Sequence, residues 1–281
     1  MKKMGRLLFI GLLLVLLGCE RVLVPLHEQE ASPAQGEVDA DPVLLRMAVC
    51  WAGLPLAKEL SAAYTAGNPR VSVDVVACDS AVARDLLGSG QVDLALVSEM
   101  MGCDGEEDSL PAVLALDALV VIVPQRSSLE RITGDELSAL FGGYHLNWQE
   151  LSAGRGKPEL VVRETGSVAR ELFHSYAMGE QTVSSAAVVM PHDRAVLEYV
   201  AQHASAVGYI SRAYVDERVK VLAIDGVPPT QETVREGEYP LVYGLQVRIS
   251  DVASREATDF VSFMRSHRGR RLAAERYVIP E

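Results

Sequence analysis

Between residues 44 and 97, three short apolar runs alternate with two stretches of helical spacing, and this alternation restricts the chain to one class of fold. Leu44–Cys50 is apolar, Leu56–Tyr64 carries helical spacing, and Val71–Ala77 alternates as a half-buried strand does. Val82–Leu87 then reads as a short helix and Val92–Val97 as a buried strand. A strand–helix–strand–helix–strand order needs crossover connections, so it predicts parallel βαβ units with helices covering the sheet. In α/β sheets of this kind, ligands lie beyond the C-terminal ends of the strands. That rule selects the turns Cys50–Pro55, Cys78–Ala83, Ser98–Gly105 and Arg163–Ala169 as candidate ligand-binding loops.

The pattern continues downstream. Ala118–Val123 is a strand ended by Pro124, and Thr133 with Glu136 makes a capping-box signature ahead of Leu137, Leu140 and Phe141, stopped by Gly142-Gly143. Val161–Arg163 is a short strand, Glu164–Ser167 a turn, and Val168–Met178 an amphipathic helix. Ala195–Gln202 reads as helix, and Ala206–Ile210, Val219–Ile224 and Leu241–Ile249 read as strands. Ala253–Arg276 reads as one long closing helix with Phe260, Phe263 and Met264 on a single face.

The beginning of the chain reads as an address. Lys2, Lys3 and Arg6 precede an apolar run, Leu7–Leu17, that is short of the roughly 20 residues a membrane span needs but suits a signal-peptide core. Cys19 directly follows Gly18, which resembles the lipobox of bacterial lipoproteins; the resemblance implies cleavage after residue 18 and diacylation of Cys19. Residues 19–43 mix Glu28, Glu30, Glu37, Asp39 and Asp41 with Pro, Ala, Ser and Gly, and read as a tether. The formal net charge is −12, and no Lys/Arg-rich run is present, which argues against nucleic acid as a partner. An acidic chain that holds an anion must do so with a few donors in a cleft rather than by its overall field.

The segments fall in an order that resembles the phosphate-binding (PstS-type) periplasmic substrate-binding family. Trp51–Val76 looks like the family's opening, and Gly90-Gln91-Val92-Asp93 like its Gly-x-Val-Asp strand. Leu114–Leu151 is similar to its linker strand, helix and Gly-x-x-x-Asn-Trp turn, and Val161–Phe173 to its Arg-Glu-x-Gly-Ser-Gly-Thr-Arg anion loop. Ala206–Val215, Val227–Val247 and Phe263–Pro280 complete the pattern. The resemblance implies an α/β type II periplasmic-binding-protein fold: two α/β lobes, 44–123 plus 219–281 and 124–218, with a cleft between them. It further implies a membrane-anchored, extracytoplasmic binding protein that captures phosphate or a similar small oxyanion for an ABC permease. No enzymatic activity, cofactor or metal is implied. The competing expectation is a degenerate pocket serving a sensor or interaction module.

Anion capture without a metal needs a guanidinium fork, hydroxyls and backbone N–H groups at helix starts. By resemblance Arg163, Gly166 and Ser167 supply these from one loop, and Ser80 from another. Glu99 stands where some family members place an aspartate that accepts a hydrogen bond from a protonated oxyanion. The chain also departs from the family: Cys50-Trp51-Ala52 replaces Ser/Thr hydroxyls, and Ser167-Val168-Ala169 replaces Ser-Gly-Thr. Cys50 and Cys78 end strands that are parallel neighbours in such a fold, which predicts a Cys50–Cys78 disulfide at the floor of the cleft, with Cys103 free.

Overall fold

The computed structural model describes residues 41–101, 113–144, 147–151 and 156–280. Cys19, the segment before residue 41 and Cys103 lie outside the described residues. The compact unit that the described residues form begins at Asp41.

Strand β1 (Val43–Cys50) leads through a short 3-10 turn into helix α1 (Leu54–Gly67), whose Pro55 suits the first helical turn because no N–H is needed there. β2 (Val71–Cys78) returns parallel to β1 in register from Val43 opposite Val71 to Cys50 opposite Cys78. α2 (Ser80–Gly88) and β3 (Leu94–Met100) complete the second crossover, with β3 on the other side of β1. The βαβαβ reading of the first segment is what the backbone adopts.

β4 (Val113–Pro124) is longer than its sequence signal and forms the seam of the molecule. β5 (Arg131–Ile132), α3 (Gly134–Gly142), β6 (Glu159–Arg163), α4 (Val168–Phe173), β7 (Val188–Met190) and α5 (Asp193–Gln202) follow. Next come β8 (Ala206–Ser211), β9 (Val219–Val221), β10 (Ala223–Ile224), α6 (Gln231–Arg235) and β11 (Val242–Ile249). Up to Ala118, β4 pairs antiparallel with β11; from Leu119 it pairs antiparallel with β8, and from Ile122 with β9. Among the described residues the sheet therefore runs β2-β1-β3-β11-β4-β8-β6-β7, with β9 branching from β4. A separate two-stranded ribbon pairs β10 with β5.

Local chemistry accounts for the ends of α3. Thr133 Oγ1 accepts the Glu136 N–H while the Glu136 carboxylate accepts the Thr133 N–H at 2.8 Å, and Gly143 closes the helix at φ +83°. The closing helix is not continuous: α7 (Arg255–Arg265) and α8 (His267–Ala273) are separated at Ser266. Ser266 adopts an extended backbone (ψ 164°), and its hydroxyl caps α8 by accepting the Gly269 N–H. A Cβ on Gly269 would stand 2.4 Å from the carbonyl oxygens of Phe263 and Met264, so glycine is what lets the two helices meet this tightly. The expected Val168–Met178 helix is likewise divided, its last turn widening to a π-helix over His174–Met178. Among the described residues, no helix is long and apolar enough to cross a membrane.

The core lies on both faces of β1. Leu45, Met47 and Val49 join the large cluster that includes Leu56 and Leu60 of α1, whereas Ala48 joins Ala83, Val92, Ala95 and Val97 beneath α2. This division corrects the disulfide expectation. Cys50 and Cys78 are register partners, yet both are free thiols. Cys50, buried, packs into the α1-side cluster, while Cys78 packs against the α2-side cluster, so adjacent backbones carry sulfurs into different packing environments. Burial pushes the Cys50 thiol up to about 12, which keeps it neutral and unreactive. Thiol labelling of the unreduced protein in denaturant is expected to modify both Cys50 and Cys78, and labelling of the native protein to modify Cys78 ahead of Cys50. Protection of the pair until a reductant is added would contradict this.

Candidate functional site

The C-terminal ends of β1, β2, β3 and β6 converge as the α/β rule requires. One cleft is lined by Cys50, Trp51 and Ala52 after β1, Asp79 and Ser80 after β2, and Ser98 near the end of β3. Arg163, Ser167, Val168 and Ala169 from the β6–α4 loop, Asp193 at the start of α5, and Tyr243 of β11 complete the lining.

Arg163 ends β6 and is only 3% exposed. Its Nη1 donates to Asp193 Oδ2 at 2.8 Å, and its Nε and Nη2 form a fork on the Glu164 carboxylate at 3.1 and 2.7 Å. Nη2 also donates to the Pro191 carbonyl and lies 3.9 Å from Asp79. Burial alone would lower the pKa of this guanidinium. Hydrogen bonding to Glu164 and the fields of Asp193, Glu164 and Asp79 outweigh burial and hold it above its ordinary value, so the charge is secure. Asp79 is pushed up by burial and then by Glu164, against the pull of Arg163.

Ser167 caps α4: its hydroxyl accepts the Arg170 N–H at 3.2 Å and donates to the Glu164 carbonyl at 2.9 Å. Gly166 does not line the cleft but makes the turn possible, at φ +93°. A Cβ there would meet nothing within 4 Å, so the demand is on the backbone, not on space. Ser80 shares a 2.9 Å hydrogen bond with the Ser98 hydroxyl, and its Oγ accepts the Ser98 N–H at 3.0 Å.

Arg163, Ser167 and Ser80 thus meet in one cleft, and Glu99 does not join them. Glu99 pairs instead with Arg248 at 2.6 Å and Arg84 at 3.4 Å. The cause is strand periodicity: β3 continues to Met100, so Ser98 shares the face of Leu96, and Glu99 goes to the opposite side. Extending the alternation one residue past Val97 is the signal that finds Ser98. Asp193 left a weaker trace, an acid at a helix start directly after His192, which caps α5 through Nδ1. The Trp51 ring packs against that of His192, tilted by 41° with centroids 4.7 Å apart. The apolar replacements expected from sequence, Cys50, Ala52, Val168 and Ala169, do line the cleft.

The cavity is about 20 Å³, on the scale of one water-sized sphere. Behind it lies a second buried acid. Asp117 of β4, 1% exposed, accepts the Ser211 hydroxyl at 2.5 Å, the Tyr243 hydroxyl at 2.7 Å and the Ala118 N–H at 2.8 Å. Burial pushes its pKa from 3.8 to about 6 despite these donors.

Comparison with known proteins places the fold. A family model described as a PBP superfamily domain matches residues 29–268. The chain belongs to the PBP superfamily. Among similar relatives of this PBP-superfamily chain is the phosphate-binding protein PstS of Bacillus subtilis, 27% identical over 75% of this chain and 72% of the relative. Phosphate-binding protein PstS 2 of Streptococcus pneumoniae is 33% identical over 43% of this chain and 44% of its own length. Two solved structures share the fold. A phosphate ABC transporter substrate-binding protein from Clostridium perfringens with bound phosphate aligns at TM-score 0.77 and 21% identity, covering 85% of this chain and 99% of that one. An ABC-type phosphate transport receptor from Vibrio cholerae aligns at TM-score 0.66 and 24% identity, covering 84% and 100%. The fold is accordingly the two-lobed α/β architecture of periplasmic binding proteins.

The raised pKa of Asp117 has a definite sign. The native state holds the proton more tightly than the unfolded chain, so the contribution of Asp117 to stability is fullest below pH 3.8 and is lost as pH rises through about 6. Across that window the charge costs about 3 kcal/mol. Urea unfolding of wild type and Asp117→Asn at several pH values is expected to show wild type losing stability relative to the variant as pH rises across this window. Parallel pH profiles would contradict it.

Proposed function

We propose that the chain is a lipid-anchored, extracytoplasmic solute-binding protein that captures phosphate and delivers it to an ABC permease. The observation that carries this reading is the meeting, in one cleft at the strand ends, of a buried guanidinium with the hydroxyls of Ser80, Ser98 and Ser167. The named activity of the PstS relatives supports the ligand, and the Gly18-Cys19 signature supports the anchor. Residues 19–43 serve as the tether, and lobes 44–123 plus 219–281 and 124–218 as the two jaws.

The two partners of Arg163 play different parts. Asp193 is 2% exposed and grips Nη1 from within the core, whereas Glu164 is 27% exposed and occupies the Nε–Nη2 edge. That edge is the fork that binds two oxygens of an oxyanion in parallel. Glu164 is therefore the replaceable partner: it rotates toward solvent as the anion takes its place, while Asp193 keeps the fork aimed. The mutually bonded hydroxyls of Ser80 and Ser98 turn to donate, as does Ser167. A cavity of about 20 Å³ must widen for a tetrahedral anion, which hinge motion of the lobes provides. Asp79, beside Arg163, takes the role expected of Glu99. Its carboxylate accepts a hydrogen bond from a protonated oxyanion and repels a fully ionised one, favouring phosphate over sulfate.

Calorimetry on the full chain tests this. Phosphate is expected to bind and sulfate to fail at the same concentration. Arg163→Lys keeps the charge but loses the fork, and weakens phosphate binding about a hundredfold. Glu164→Gln weakens the competitor for the fork and is expected to tighten binding. Absence of heat and of any thermal shift with phosphate would end the reading.

A further inference from the structure

A buried carboxylate with no cation in direct contact is costly unless its environment is organised around it, and among the described residues Asp117 is such a group. It sits on β4 where pairing passes from β11 to β8: Ala118 opposes Val242, and Leu119 opposes Ser211. The single oxygen Oδ2 receives hydroxyls from both sides of that seam, Tyr243 from β11 at 2.7 Å and Ser211 from β8 at 2.5 Å. Ser211 also faces a second carboxylate, its backbone N–H donating to Asp193 Oδ1 at 2.7 Å. The other oxygen of Asp193 holds Arg163 Nη1 at 2.8 Å. Asp117, Ser211, Asp193 and Arg163 therefore form one continuous buried chain of hydrogen bonds from the seam to the fork.

We propose that Asp117 is a positioning residue of the anion cleft: it fixes Ser211 across the seam between the lobes, and through the Ser211 amide it sets Asp193 and thereby the aim of Arg163. This rests on the reading of Arg163 as the anion fork. The ionised carboxylate is acceptor-only, and so receives both hydroxyls on one oxygen. A proton on that oxygen turns it into a donor, and Ser211 must rotate or withdraw. The seam and the fork then loosen together. Among the described residues, the other titratable groups facing Asp117 are few. Asp193 approaches from α5, the Cys50 thiol from the end of β1, Tyr214 from the turn after β8, and Tyr277 from the C-terminal segment. All of these are acids, so none supplies a positive charge that would make Asp117 half of a simple ion pair.

The test begins without ligand. In the full chain, the guanidinium nitrogen resonances of Arg163, assigned by their loss in Arg163→Lys, are followed by NMR from weakly acid to neutral pH. Wild type is expected to show a titration step with the midpoint of Asp117, and Asp117→Asn no such step; an unchanged step in the variant overturns the proposal. Phosphate calorimetry then reads the coupling. Asp117→Asn and Ser211→Ala are each expected to weaken binding about tenfold, and the double variant to be no weaker than either, because they break the same chain. Fully additive losses would show two independent structural effects and overturn the proposal. Should Asp117→Asn fail to fold, Tyr243→Phe removes one donor from the same oxygen, and is expected to shift the Arg163 titration step; no shift counts against the proposal. If wild type binds no phosphate, the anion reading fails on its own, and the ligand-free titration still decides whether Asp117 positions Arg163.

Discussion

Burying a guanidinium costs several kcal/mol unless its donors are satisfied, and the rest of this cleft is arranged around meeting that demand for Arg163. β6 delivers the side chain to the end of the sheet, Asp193 meets it from α5, and Glu164 meets it from its own loop. Three carboxylates, Asp79, Glu164 and Asp193, lie within salt-bridge distance of one positive charge. The cleft is thus locally acidic in a chain that is acidic overall. On the proposed reading, long-range attraction is not what brings an anion there; short, directional donors and the exchange of the Glu164 carboxylate for the oxyanion do so.

The scaffold suits the proposed exchange. β4 belongs to both halves of the sheet, so a change in the angle between the lobes passes through its middle, where Asp117 gathers hydroxyls from β8 and β11. The same strands carry residues of the cleft wall, Tyr243 directly and Ser211 through Asp193. In the proposed mechanism, lobe motion and fork geometry are linked through these side chains, which have almost no exposure.

Much of this was legible in the sequence, for reasons that can be traced to particular residues. The period-two alternation of Val71–Ala77 and the apolar run of Val92–Val97 are strong local signals, and the βαβ order follows from them. The Thr133–Glu136 capping box was readable because both bonds form within one helical turn. What sequence did not disclose depends on where a side chain points at the end of an element. Ser98 and Glu99 differ by one position in register, and this alone sends the serine into the cleft and the glutamate to Arg248. Cys50 leaves the alternation of β1 at its last residue and packs into the α1-side cluster, which separates it from Cys78. Asp117, Ser211 and Asp193 meet across 94 and 18 residues of chain, and no local pattern announces such long-range contacts. The break at Ser266 was written in the Ser-x-x-Gly spacing but masked by the continuous apolar face of the residues before it.

The central claim is that Glu164 holds the Arg163 fork in place of an oxyanion. A crystal structure of the full chain grown with phosphate tests it most directly. The account predicts the anion on the Nε–Nη2 edge of Arg163, within hydrogen-bond reach of Ser80 and Ser167, with the Glu164 carboxylate turned out to solvent and Asp193 unmoved. A structure in which Glu164 still grips that edge, with phosphate absent or bound elsewhere, would contradict it.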